Sequence, residues 1–198
     1  MKDFKTTIHG EELEYFDDEH IYLVDGVQVP SITDILKIRF GRKYDGIDKE
    51  ILRRASEAGT AVHEAIQQYC VTGEERKLPE LRNFKFLQKH YNFFVLATEV
   101  PVILHLSDIP IAAGRLDLVL EMNGQTGGAD IKRTASLDKD YLFYQLNLYR
   151  IAYRQSYGVE WEFLKGLHLR ENIRKFVDIP INENSAWELV HQYMEENA

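Results

Sequence analysis

The stretch Gly114-Arg115-Leu116-Asp117-Leu118-Val119-Leu120-Glu121-Met122-Asn123-Gly124-Gln125-Thr126-Gly127-Gly128-Ala129-Asp130-Ile131-Lys132 decides the fold. It reads as two apolar strands around Asn123-Gly124, a two-residue hairpin signal. Such a loop sets Met122 opposite Gln125, and the same count sets Asp117 opposite Asp130. The two carboxylates then share one face, with Cβ atoms ~5 Å apart. Like charges that close are unfavourable without a compensating cation. Mg²⁺, a hard ion that takes oxygen ligands, suits them. Lys132 lies two residues beyond Asp130 and points to the same face. An ammonium there can orient an attacking water and stabilise developing negative charge.

Working outward, three strands are expected at Glu99–Leu106, Pro110–Met122 and Gly128–Lys132, all rich in Val, Ile and Leu. A turn over Ser107-Asp108-Ile109 would bring Glu99 opposite Asp117, to bind metal or to hold a ligand from behind. Pro101 disturbs that pairing. Upstream, His20–Val24 and Val27–Pro30 flank the turn signal Asp25-Gly26. Ser31 is a helix N-cap, and Asp48 caps a longer helix to about Val71. Its apolar stripe is Ile51, Leu52, Ala55, Ala58, Val62, Ile66 and Tyr69. Pro79 suits the first turn of a third helix with Phe84, Leu87, Tyr91 and Phe94 inward. Downstream, a helix runs from about Asp138 to Tyr157 and ends at Gly158. Strands at Trp161–Leu169 and Arg174–Ile179 and a helix from about Asn184 complete the chain. The expected fold is α/β (mixed α+β): one central mixed sheet flanked by helices, with a small N-terminal β-hairpin. A single domain over 1–198 is expected, with a hairpin-and-helix extension at 1–47, a core at 48–180 and a C-terminal helix at 181–198.

Composition sets the limits. With 198 residues, 44% hydrophobic and 12% aromatic, the chain can bury a real core. It contains no apolar run long enough to span a membrane, and Met1-Lys2-Asp3-Phe4-Lys5 lacks the apolar core of a signal peptide. One cysteine, Cys70, excludes an intramolecular disulfide and any four-cysteine cluster. A cytoplasmic location is expected. The net charge of −8 weighs against indiscriminate nucleic-acid binding. The charge is uneven, however: residues 1–20 carry seven acidic and two basic side chains, residues 37–54 seven basic and three acidic. Arg39, Arg42, Lys43, Arg53 and Arg54 in the basic stretch are candidate phosphate contacts; a solvated helix face is the plainer reading.

Two helices add polar residues. His63 lies one turn after Gly59, whose missing side chain would permit close approach of another backbone. His63 is either a hydrogen-bonded core histidine or a metal ligand. Gln145 and Tyr149 form an i, i+4 pair after the Asp130–Lys132 strand. Gln145 asks for a polar partner: the lysine, a water or a phosphate.

Taken in order, His63, Glu99, Gly114-Arg115-Leu116-Asp117, Asp130-Ile131-Lys132 and Gln145-Leu146-Asn147-Leu148-Tyr149 resemble the RecB-type branch of the PD-(D/E)XK nucleases, over about residues 55–170. The segment from Tyr22 to Thr33 is similar to openings in phage-associated exonucleases of that group. The resemblance implies Mg²⁺ or Mn²⁺, one or two ions, held by His63, Asp117 and Asp130 with the Ile131 carbonyl helping, and leaves open whether Glu99 ligates directly. It implies Lys132 serving the nucleophilic water, Gln145 and Tyr149 ordering the lysine or the DNA backbone, and phosphodiester hydrolysis as the reaction. The implied setting is phage-type recombination in a bacterial or phage-infected cell. DNA is the implied substrate, a single-strand annealing or recombination protein a compatible partner, and a homo-oligomer a compatible assembly. The iron-sulfur branch needs four cysteines and does not fit. Exonuclease, structure-specific endonuclease, non-catalytic DNA-binding module and structural salt-bridge cluster all stay open on the sequence alone.

Overall fold

A computed structural model describes residues 3–41 and 45–197. Among them the chain forms five helices and two sheets, a mixed α/β architecture. The first sheet is an antiparallel meander of β1 (Phe4–Ile8), β2 (Glu11–Phe16), β3 (Ile21–Val24) and β4 (Val27–Val29). The expected small hairpin is therefore only the second half of a four-stranded sheet. The acidic run hid β2, because Glu12 and Glu14 are its water side while Leu13 and Tyr15 are buried. His9 and Gly10, with φ of 50° and 93°, make the tight turn between β1 and β2.

The second sheet runs in sequence order: β5 (Phe93–Leu106), β6 (Ile109–Met122), β7 (Gln125–Lys132), β8 (Phe163–Arg170) and β9 (Ile173–Ile179). Only β7 and β8 are parallel. A parallel pair needs a long crossover, and α4 (Lys139–Tyr157) supplies it. The other helices are α1 (Ile32–Phe40), α2 (Lys49–Thr72), α3 (Pro79–Tyr91) and α5 (Glu183–Glu196). Ser31 and Asp34 close a reciprocal capping box on α1, and Asp48 and Asp138 cap α2 and α4. No helix among the described residues is long and apolar enough to cross a membrane.

Two cores cover the main sheet. Ile35, Leu146 and Val190 from α1, α4 and α5 pack with Val119 and Leu164; Val62, Ile66, Phe84 and Leu87 from α2 and α3 pack with Leu118, Leu120 and Ile131. Neighbouring β6 residues feed different cores, so helices lie against both faces. Gly128 allows this at one point, since a Cβ there would stand 2.1 Å from the buried Trp161 ring.

Three local expectations fail. Asn92 adopts φ 51° and ends α3, so β5 begins at Phe93 and Phe94 is an exposed strand residue. Asn tolerates the left-handed conformation and competes well as a helix stop. The apolar stripe of α2 is buried only in its second half, at Val62, Ala65 and Ile66, while Ile51 is 61% exposed. Gly59 faces open space and no backbone approaches it.

Candidate metal centre

The Asn123-Gly124 turn sets the register as expected: Met122 pairs with Gln125 and the ladder continues to Leu118 opposite Ala129. One step further, a side chain takes over. The Ile131 amide donates to Asp117 Oδ2 at 2.7 Å, and Asp130 lies beside Gly166 of β8.

The β5–β6 pairing reaches Glu99 by a different route from the expected three-residue turn. Ser107 and Asp108, with φ of 49° and 64°, form a two-residue loop that pairs Leu106 with Ile109. A bulge then leaves Ile111 unpaired, and Leu104 meets Ala112. The two irregularities add up to the frame that the longer turn would have produced. Glu99 lies opposite Asp117, between the pairs Thr98–Leu118 and Val100–Leu116. Glu99 has φ 52°, a left-handed residue inside a strand. Such backbone costs roughly 1–3 kcal/mol and persists only where its surroundings enforce it.

His63, on α2, completes the cluster. Its Nε2 is 3.1 Å from the Ile131 carbonyl oxygen. Its Nδ1 lies 3.4 Å from Asp117 Oδ1 and 3.9 Å from Glu99 Oε1. The ligand atoms of His63, Glu99 and Asp117 all fall within 4.8 Å of one another. Burial opposes charge on the ring, but Asp117, Glu99 and Asp130 outweigh it and hold the histidine pKa well above 6.5. The imidazolium donates from both nitrogens, to the Ile131 carbonyl and towards the carboxylates. Asp117 is lowered despite its burial, by His63, by Lys132 and by the Ile131 amide.

Lys132 Nζ sits 2.6 Å from Asp130 Oδ2, a charge contact without hydrogen-bond alignment. Burial, and the Asp117 charge working against Lys132, raise Asp130 to about 6. Burial disfavours the ammonium, but Asp130 and Asp117 together raise its pKa. Lys132 Nζ also lies 5.6 Å from the centre of the Tyr141 ring. Sequence reasoning missed Tyr141, although it stands one helical turn before Gln145 and two before Tyr149.

Tyr149 and Gln145 are both buried on α4. A Cβ at Gly114 would stand 3.0 Å from Tyr149 Cε1 and 3.1 Å from its hydroxyl, so the glycine makes room for this ring. Gln145 Oε1 is buried and has no hydrogen-bond partner. Among the described residues of the basic stretch, the arginines already have partners within the chain. Arg53 and Arg54 are exposed and paired with Glu50 and Glu57 on their own helix. Arg39 is exposed and lies 5.0 Å from the Tyr144 ring centre. Arg42 and Lys43 lie outside the described residues.

Three ligating groups and a buried carboxylate–ammonium pair thus converge where β5, β6 and β7 meet α2 and α4. One nitrogen and several carboxylate oxygens suit a hard or borderline divalent cation. No family model and no curated protein matches the sequence. Among solved structures, the crystal structure of SSO0001 aligns with 86% of this chain and 77% of its own length, at 15% identity and a TM-score of 0.48. At that level nothing about function transfers.

Proposed function

We propose that this chain is a divalent-metal-dependent deoxyribonuclease with a PD-(D/E)XK core, acting as an exonuclease on linear DNA. One observation carries the reading: His63, Glu99 and Asp117 bring ligand atoms within 4.8 Å of one another, next to the buried Asp130–Lys132 pair. The element order supports it, with a helix, three antiparallel strands, a helix and a parallel strand.

The donor set fits Mg²⁺ or Mn²⁺. Asp117, Glu99 and His63 would hold the ion, with Asp130 and the Ile131 carbonyl within the same cluster. Asp130 Oδ2 is buried against Lys132 Nζ at 2.6 Å, so the ammonium holds that oxygen. When bound, the ion supplies Lewis-acid polarisation of the phosphodiester and a more acidic water. The chain's own residues do the rest. Lys132, fixed by Asp130 and flanked by Tyr141, presents an ammonium that orients the attacking water and balances charge building on the phosphate. Gln145 offers a buried acceptor, and Tyr149 holds its position against Gly114. Arg39, Arg53 and Arg54 would meet phosphates, Arg53 and Arg54 by exchanging their glutamate partners for DNA.

Linear and covalently closed DNA incubated with Mg²⁺, Mn²⁺ or EDTA test this, with Lys132→Ala and Asp130→Asn as controls. Metal-dependent loss of linear DNA alone, abolished by both substitutions, is expected. Opening of closed circles makes the protein an endonuclease with the same site. DNA retention without cleavage makes it a binding module.

A further inference from the structure

We propose that Arg115 is a positioning residue for Glu99, and that the N-terminal sheet sets the cation affinity of the site by gripping Arg115. The inference rests on reading His63, Glu99 and Asp117 as a cation site. It concerns how this chain holds one of those ligands.

Arg115 stands two residues before Asp117 on β6, opposite Pro101 of β5. Its Nε lies 2.8 Å from Glu99 Oε2 in an ion pair, and both side chains are largely buried, 12% and 15% exposed. The ion pair takes up one carboxylate oxygen and leaves Oε1 as the atom facing His63 Nδ1 at 3.9 Å. Glu99 offers that oxygen from a left-handed backbone, with φ 52°. A planar guanidinium holds a carboxylate in one orientation, whereas a lysine ammonium is a point charge on a flexible stem. Glu99 is thus held by two constraints, a strained backbone and a buried ion pair.

The grip on Arg115 comes from another sheet. Its guanidinium carbon lies 5.7 Å from the Phe4 ring centre and 5.6 Å from that of Tyr15. The two rings belong to β1 and β2 and stand 5.6 Å apart. Cations over aromatic faces are attracted by the ring quadrupole, more so where water is excluded. The meander is itself docked on the main sheet. The Ala113 amide donates to the Pro30 carbonyl at 3.0 Å, and His105 Nε2 meets Glu11 Oε2 at 2.9 Å. Leu13, Tyr15 and Tyr22 pack with Ile103 and Ala113. A continuous chain of contacts therefore runs from β1 and β2 through Arg115 to Glu99 Oε2.

Electrostatics alone predicts the opposite sign. Arg115 is a cation beside a cation site, so deleting its charge would tighten metal binding, while releasing Glu99 would weaken it. Charge-conserving substitutions separate the two effects. Mn²⁺ affinity is measured by calorimetry on wild type, Arg115→Lys, Phe4→Leu, Glu99→Gln and the Arg115→Lys/Glu99→Gln double variant, with thermal unfolding of each. Arg115→Lys is expected to weaken Mn²⁺ binding about 10-fold, as loss of a ligand's supporting partner does. Phe4→Leu is expected to weaken it by a smaller factor, with both variants folded. In the Glu99→Gln background the Arg115→Lys effect should vanish, since Arg115 acts through Glu99. Unchanged affinity in Arg115→Lys, or the same loss with and without Glu99, overturns the positioning role while leaving the cation site intact. Absence of Mn²⁺ binding to wild type removes the cation site and this proposal together.

Discussion

His63 is held from both sides, with Nε2 3.1 Å from the Ile131 carbonyl and Nδ1 3.4 Å from Asp117 Oδ1. The ring can donate to both only as an imidazolium, in keeping with a pKa well above 6.5. A divalent ion taking Nδ1 must displace that proton. Mn²⁺ affinity should therefore rise with pH, by up to about 10-fold per unit while His63 remains protonated. Calorimetry in buffers of different ionisation enthalpy should show proton release, and buffer-independent heats would refute it. The same shift has a stability consequence in EDTA. A raised histidine pKa stabilises the fold fully below the unfolded value near 6.5 and loses that contribution as pH rises through the folded value. The stability gap between wild type and His63→Gln should narrow accordingly on the alkaline side.

Lys132 and Asp130 form a buried pair, so removing one member strands the other. Lys132→Ala should destabilise the protein by about 3 kcal/mol at pH 8 in urea titrations. The loss should shrink towards pH 5. Asp130 already titrates at about 6, and without the ammonium it takes up a proton at still higher pH, which removes the buried charge. A loss independent of pH would mean that the damage is to packing and not to the charge pair.

Glu99 pays for its orientation in backbone strain. Glu99→Ala and Glu99→Gly both remove the carboxylate and leave Arg115 without its partner. Only glycine adopts φ 52° without penalty. The glycine variant should be more stable than the alanine variant by about 1 kcal/mol, reversing the usual preference against glycine in strands. Equal stabilities would show that position 99 carries no strain.

Gly128 and Gly114 should respond unequally to alanine. At Gly128 the new Cβ falls 2.1 Å from the Trp161 ring, which is fully buried and has nowhere to go. Overpacking of this kind costs about 3 kcal/mol or more, and Trp161 fluorescence should report the disturbance. At Gly114 the contacts of 3.0–3.2 Å with Tyr149 and Ile32 need a shift of only a few tenths of an ångström. A loss of about 1 kcal/mol is expected there. Similar losses at both positions would contradict the packing described.

The parts legible in the sequence are those fixed by short-range rules. Asn123-Gly124 allows one register, and that register places Asp117 beside the Asp130–Lys132 strand. Ser31, Asp48 and Gly158 mark helix ends through chemistry that acts within a turn. What escaped depends on distant contacts. The α2 stripe has helical spacing throughout, yet only Val62 to Ile66 meets a partner, because α3 and the sheet cover that half alone. Phe94 continues the α3 spacing and still leaves the helix at Asn92. Arg53 and Arg54 form a basic run in sequence but are matched by Glu50 and Glu57 one turn away. The role of Arg115 was invisible, since Phe4 and Tyr15 lie about 100 residues away and only the fold brings them together.

The β5–β6 ladder contains a second irregularity, at Leu96, besides the one at Ile111. One extra residue sits on each strand, so the two defects have opposite sign. Between them, residues 97–104 and 112–119 form a block displaced by one step from the ladder on either side. In the language of crystals this is a dislocation pair, and such pairs can annihilate. Sliding the block back would leave the Ser107-Asp108 turn and both strand ends untouched, yet Glu99 would then face Leu116 and Asp117 would face Thr98. The carboxylates meet only in the displaced frame, so the cluster depends on two faults in the lattice of hydrogen bonds staying apart.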